Sequence, residues 1–509
     1  MPQTVDVSEH ARDLAAEVVF GGLDDGNNNG MTGERTVLRG TTVVDVRDGS
    51  LNRDVDVTIE SGRIASITPT SDDHPDRVAV VDARGTFAAP GFCDMHAHPL
   101  ADRRDAEPAL RLMLACGVTG FRQMGGSRTL LNDRSTGKLA LPADGPALLS
   151  MPGEVLLPFN AGSESAALQS VRQQAEAGAD FIKVAMVTPP VFFAAQAEAA
   201  RLGLSTVGHL PVGIDVRAAS DGKMRSIEHL GPGASIVAAC CDHQSAIEQA
   251  VADRPAPKFP TVPRLPFAER LMGMLMARVM ARIVINPLLL AKPADAELIA
   301  DAGQSFNDDK ARALARVFAA DQTWQCPTLI RLRTQQFCDD PVYRDNPNNR
   351  FASTRTLKTW RKATKKYSSR PESMRSAYRS HYGWQLHMVR IFDEEGVKMM
   401  AGSDVSGSGW EIPGFALHDE FDQLAAAGLT PLRIMQMTTI NAAEFLGRAA
   451  TLGTVEPGKD AELVLLSANP VENVAHLHDI AGVVRAGRYY SPDHLGATIK
   501  TIAETRSAV

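Results

Sequence analysis

Ala166–Pro211 reads AALQSVRQQAEAGADFIKVAMVTPPVFFAAQAEAARLGLSTVGHLP, and its texture decides the fold. Two helical stretches, AALQSVRQQAEAG and VFFAAQAEAARLG, each stop at a glycine, the residue that accepts the left-handed turn past a helix end. A short apolar strand follows each stop within a few residues, GADFIKVAMV first and LSTVG next. Strand and helix alternate, so the central region is α/β, with a parallel (β/α)8 barrel or a doubly wound sheet as the candidates.

On both sides of this region the texture changes. TVLRGTTVVDV, VDVTIESGRIASI and RVAVVDARGTF before it, and TLGTVEPGKDAELVLLS and IAGVVRAGRYY after it, are short β-branched runs broken by Gly, Asp or Pro-Gly. They read as antiparallel strands with tight turns, and the two flanks together make one small β-domain. Residues 1–34 end in a polar, glycine- and asparagine-rich tract and read as a tail or linker. The division expected is 35–88 with 450–490 as a composite β-sandwich, 89–449 as the α/β unit, and 491–509 as a C-terminal tail. A barrel typically needs about 250 residues, so 89–449 must carry an insertion, placed at about 235–395.

Composition narrows the partners. With 53 basic against 60 acidic residues the net charge is −7, which offers no global basic field for nucleic acid. Cys93, Cys116, Cys240, Cys241, Cys326 and Cys338 include no CxxC pair and read as buried thiols of a reducing compartment. The first twenty residues lack the basic-then-apolar order of a secretory signal, so a cytoplasmic location is expected. In RLMGMLMARVMARIVINPLLL, residues 270–290, the internal arginines and Pro287 argue against a membrane span. An amphipathic helix with Arg270, Arg278 and Arg282 on one face is expected there, acting as a lid or subunit contact in a homo-oligomer, with a membrane-surface helix as the alternative. The basic stretch RTLKTWRKATKKYSSR, 355–370, reads as a solvated helix face.

The chemistry sits at strand ends. In GFCDMHAHP, His96 and His98 are two residues apart, and on a strand such positions face the same way, so both imidazoles can meet one metal ion. Lys183 lies inside the apolar run FIKVAMV, where a lysine must be paired, deprotonated or modified. A neutral amine there can capture CO2 as a carbamate, turning a cation into an anionic ligand. The next two strands end in His209 and His229, and GVKMMAGSDVSG stops at Asp404. Asp404 alone would read as a helix cap. Beside five other candidates at strand ends, it reads as a ligand at the mouth of a barrel. Imidazole and carboxylate ligands without thiolate suit Zn2+ or another divalent first-row ion.

With these residues the chain resembles the amidohydrolase superfamily, in its imidazolonepropionase-like branch of dipeptidases and amide or carbamate hydrolases. The motifs VVDVRDG, GFCDMHAHP, GVTGFRQMGG, GADFIKV, VGHLP, SIEHL, WQCPTL, AGSD, PGFALHDE, TTINAAEFLG and GTVEPGKDAELVLL carry the resemblance in order along most of the chain. It implies a TIM barrel with a split β-domain and two divalent metal ions. His96 and His98 match the ligands of the more buried ion, and His209 and His229 those of the more exposed one. Lys183 matches the carboxylated bridge, and Asp404 the aspartate that binds metal and handles the proton. The activity implied is hydrolysis of an amide, carbamate or similar C–N acyl bond in a small molecule by metal-activated hydroxide. A lactone or aryl ester is the alternative substrate, and a non-catalytic scaffold is the reading from another class. Gln123, where many relatives have aspartate, and Leu230, after His229 where glycine is usual, depart from the pattern, and no tyrosine matches the one some dipeptidase relatives use.

Overall fold

The computed structural model describes residues 35–72, 78–231, 235–253 and 285–507. In the N-terminal flank, β1 (Arg35–Val44), β2 (Leu51–Glu60) and β3 (Arg63–Pro69) form an antiparallel meander. Ser61 and Gly62, both at positive φ, make its second turn. β4 (Ala79–Asp82) and β5 (Phe87–Pro90) then run parallel to β1. The central strands are β6 (Phe92–Ala97), β7 (Val118–Gln123), β8 (Ala147–Ser150), β9 (Phe181–Val184), β10 (Ser205–Gly208), β11 (Met224–Glu228) and β12 (Trp324–Cys326). The C-terminal flank adds β13 (Leu463–Leu466), β14 (Ile480–Arg485) and β15 (Arg488–Tyr490).

β13 lies antiparallel to β5, with Leu463 opposite Pro90 and Leu466 opposite Phe87, and this pairing joins the flanks. Where a sandwich of two sheets is expected, hydrogen bonds connect one eight-stranded sheet of order β15-β14-β13-β5-β1-β2-β3, with β4 also on β1. The physical reason lies in β1. Its register against β2 shifts between Leu38 and Thr41 and again before Val43, and such irregularities re-aim a strand. Its first half pairs with β4 and its second with β5. Leu38, Val57, Ile59, Leu463 and Val484 form the core of this sheet.

The central strands are parallel throughout, as β6-β7-β8 and β9-β10-β11-β12. A parallel bridge from Leu156 to Val184 links the segment after β8 to β9. The extended stretch 398–405 pairs with β12 through Gln325 and Met399, and with β6 through Ala97 and Val405. Intervening helices stop as the sequence says: Glu164–Glu176 and Pro189–Arg201 are followed by Gly178 and Gly203, with φ of 79° and 75°.

Three features differ from expectation. β12 falls inside 235–395, so the extra chain is two pieces, one before and one after a three-residue strand paired with β11. The segment 491–509 is no loose tail, since it carries the helix Pro492–Ser507. Leu495 and Ile502 are buried there, the latter with Leu112, Trp360 and Tyr367, because apolar residues recur at helical spacing. The sheet boundary also runs past residue 88, because Ala89 and Pro90 still pair with β13.

Most of the 270–290 segment lies outside the described residues; at its end Asn286 caps the turn Pro287–Leu289. The basic stretch is the helix Thr354–Ser368, with Trp360 and Tyr367 buried and Lys358, Lys362, Lys365 and Lys366 exposed. Among the described residues no helix is long and apolar enough to cross a membrane.

Candidate metal centre

Six strand-end residues converge. His96 ends the inward face of β6, fully buried, and His98 follows it with rings 5.4 Å apart between centroids. His209 leaves β10, anchored by its N–H to Val184 O at 2.8 Å, and His229 leaves β11, anchored to Cys326 O at 3.0 Å. The His229 ring is 4.5 Å from that of His96 and 5.1 Å from that of His209. Lys183 Nζ, on β9, lies 3.2 Å from His96 Nε2. Asp404 Oδ1 lies 3.1 Å from Nε2 of both His96 and His98. The ligating atoms of His96, His229 and Asp404 are all within 4.8 Å of one another.

Backbone strain helps present them. His229 and Asp404 adopt φ of 56° and 58°, a left-handed conformation that costs a non-glycine residue about 1–3 kcal/mol and recurs at functional turns. The 403–404 turn is fastened from below, where buried Asp94 accepts from Ser403 N at 3.0 Å, Ser403 Oγ at 2.5 Å and His96 N at 3.2 Å. Burial pushes the Asp94 carboxyl up to about 6 against those bonds.

A second layer fixes the imidazoles. Glu228, one residue before His229, accepts at Oε2 from His96 Nδ1 at 2.6 Å. Its Oε1 accepts from Arg122 Nη2 at 2.9 Å and Ser226 Oγ at 2.6 Å. Burial would raise this carboxyl, yet Arg122, His96 and Ser226 together hold it below the usual carboxylate range. With Nδ1 donating to Glu228, the Nε2 lone pair of His96 faces the cluster, the arrangement that orients a metal-binding histidine. His229 Nδ1 pairs in the same way with Thr328 Oγ1. We expect Glu228→Gln to weaken metal affinity by about 10–100-fold, read by competition with a chelating dye. Unchanged affinity would show that Glu228 serves the strand alone.

The donor set fits divalent metal. Burial pushes His96 down to about 3 and holds His98, His209 and His229 well below the ordinary histidine range, so all four are neutral at pH 7. Burial also lowers the Lys183 ammonium, with Glu228 opposing, to about 7. Both oxygens of Asp404 are buried and accept no hydrogen bond, although two ring nitrogens and Arg331 face them. Oδ2 is engaged by Arg331, and Oδ1 is the oxygen that faces the histidine nitrogens. A second triad of close donors, His96, Glu228 and Cys326, does not fit. Glu228 is committed to Arg122, and burial keeps the Cys326 thiol protonated.

Sequence reasoning names the six ligand candidates and misses Glu228, Arg122, Thr328 and Arg331. Arg122 carried a readable signal, a charged residue inside a buried strand like Lys183. Arg331 did not, because its helix Leu329–Gln336 reaches Asp404 only in the fold. Gln123 ties loops instead of bearing charge: its Oε1 accepts from Leu100 N at 3.3 Å and its Nε2 donates to Gly125 O at 2.8 Å.

The sequence model of the amidohydrolase family matches residues 385–489. Imidazolonepropionase of Thermoplasma volcanium is 33% identical over 95 residues, 18% of this chain and 22% of that protein, so the match spans about a fifth of its length. The solved structure of bottromycin amidohydrolase superposes with a TM-score of 0.65 at 21% identity, covering 93% of this chain and 91% of the other. An Xaa-Pro dipeptidase with bound methionine superposes with a TM-score of 0.56 at 17% identity, covering 90% of this chain and 100% of the other.

Proposed function

We propose that this chain is a member of the amidohydrolase superfamily and a hydrolase of amide-type C–N acyl bonds that uses two divalent metal ions, with Zn2+ the expected metal. The observation that carries the reading is the convergence of His96, His98, Lys183, His209, His229 and Asp404 from the central parallel strands and the stretch 398–405. The bridges from Leu156 to Val184 and from 398–405 to both β12 and β6 support a closed (β/α)8 barrel, whose C-terminal mouth is where catalytic residues belong.

His96 and His98 would hold one ion and His209 and His229 the other, with Asp404 and a carboxylated Lys183 as the anionic ligands. Bound there, the ions supply Lewis acidity towards the substrate carbonyl and a water acidic enough to attack at neutral pH. Asp404, buried and poor in hydrogen bonds, takes the proton of the attacking water at its carboxylate and returns it to the leaving nitrogen. Arg331, which stays a cation with burial pushing it down to about 10, balances that carboxylate whenever it is charged. Glu228 and Thr328 keep two imidazoles in the ligating tautomer. Six buried, unpaired cysteines suit the reducing cytoplasm proposed for it, and a small-molecule substrate and a homo-oligomeric state complete the reading.

The test is a screen of amides, carbamates and lactones with metal-loaded protein, repeated after chelation and after metal is restored. Turnover of at least one amide or carbamate that follows the metal is expected. Turnover of lactones alone would move the assignment to ester-type bonds, and turnover indifferent to chelation would remove the metal from it.

A further inference from the structure

The helix Thr354–Ser368 carries a charge pattern that the metal centre does not use. From Asn346 to Pro371 the chain holds eight basic residues and no acidic one, in a protein whose net charge is −7. Six of the eight, Arg355, Lys358, Arg361, Lys362, Lys365 and Lys366, lie on the helix and are exposed. At about 3.6 residues per turn they fall within an arc of about 140°, centred opposite the buried Trp360 and Tyr367. One side of the helix is therefore core and the other uniformly cationic. The core side ties it to the segment after Asp404: Trp410 Nε1 donates to Thr364 Oγ1 at 3.0 Å, and the Trp410 ring lies 5.4 Å from that of Trp360.

Among the described residues none of the six makes an ion pair. Acids on neighbouring segments are committed elsewhere: Asp102 to Arg104 at 2.6 Å, Asp339 to Arg375 at 2.6 Å and Arg379 at 2.8 Å, and Asp345 to Arg344 at 2.8 Å. Like charges one helical turn apart, as in Lys358 with Lys362 and Arg361 with Lys365, repel, and the fold offers no carboxylate to offset them. The face is thus complementary to an external polyanion. Three features select which one. It is the convex outer arc of a single helix, whereas single-stranded nucleic acid is held in grooves. Both aromatic rings of the helix are buried, so none is left to stack on a base. Beside its C-terminal end Leu290 is 57% exposed, on a turn held by Arg370, which donates to Leu289 O and, at 3.0 Å, to Ala291 O. A layer of anionic headgroups over acyl chains accepts both the lysines and an apolar side chain. We propose that this face docks the protein reversibly on a bilayer surface rich in anionic phospholipid. Docking of this kind does not depend on the hydrolase reading, since it sets where the chain sits and not what it cleaves.

Co-sedimentation of the full chain with phosphatidylcholine vesicles, plain or containing about one-third phosphatidylserine, is the test. Partition onto the anionic vesicles is expected to exceed that onto plain ones at least about tenfold, and to be lost on raising salt from about 0.1 M to about 0.5 M. Lys358→Ala, Lys362→Ala and Lys365→Ala together should weaken it about 100-fold, about fivefold for each charge. The helix should survive those changes, because Trp360 and Tyr367 still anchor it. Removing three charges from other exposed positions, by Arg53→Ala, Lys138→Ala and Arg316→Ala, should leave partition within about twofold of the unchanged protein. Equal partition onto plain vesicles, no partition at the lower salt, or partition indifferent to the three lysines in folded protein overturns the proposal. Tighter binding to a DNA duplex at matched phosphate concentration, lost with the same three lysines, also overturns it and assigns the face to nucleic acid.

Discussion

His96→Ala loses bound metal and hydrolysis together, with turnover falling by at least about 10³-fold, the scale of removing one member of a catalytic unit. His96 is the hub of the cluster: its Nε2 lies near both Lys183 and Asp404, and its Nδ1 is held by Glu228. The same change deprives Oε2 of buried Glu228 of its imidazole, so stability should drop by about 1–3 kcal/mol, visible in urea unfolding. The central parallel strands keep their own hydrogen bonds, and circular dichroism should stay native. Turnover retained in this variant after chelator treatment, with the fold intact, would remove His96 from the site.

Lys183→Ala has the second large effect, with turnover down by at least about 10³-fold and one or both ions lost. Three points lead there. Lys183 is buried on β9 beside a neutral imidazole, and as an ammonium it would put a further cation next to two divalent ions. Four neutral histidines and one aspartate would leave two bound divalent ions under-neutralised, and an anionic Lys183 would supply the missing charge. With its amine lowered to about 7, a large fraction is neutral at physiological pH and able to attack CO2, losing a proton to give the carbamate. The neutral fraction grows as pH rises through that value, so reconstitution of stripped protein with metal and bicarbonate should quicken on raising the pH through it. Propionate at high concentration should partly restore metal binding and turnover to Lys183→Ala by occupying the vacated bridge. Lysine methylated at Nζ, or a plain amine in high-resolution density beside two bound ions, would refute the bridge while leaving the other ligands standing.

How much of this was legible in the sequence depends on what kind of signal each residue leaves. The spacing of two between His96 and His98 exposes a shared strand face, and Lys183 stands out because ammonium in an apolar run is costly. His209 and His229 gain meaning only from ending consecutive strands, and Asp404 only from their company. Glu228 and His96 are 132 residues apart, and no local pattern encodes their bond. The same holds for Thr328 and His229, which meet across 99 residues. In the fold, β12 lies within WQCPTL, which resemblance picks out and periodicity does not, because three residues cannot show a period. The helix Pro492–Ser507 hid its apolar stripe of Leu495, Ile499 and Ile502 among small and polar residues. The flanking strands were readable one by one, but the register shifts of β1 that merge them into a single sheet depend on partners far along the chain.

The central claim is that this chain works through metal held by these six residues, and metal content set against activity tests it most directly. Protein purified without chelator, analysed by inductively coupled plasma mass spectrometry, should carry about two divalent ions per chain, with turnover falling in proportion as they are removed and returning as they are restored. Full turnover in protein holding less than about a tenth of an ion per chain would contradict the account.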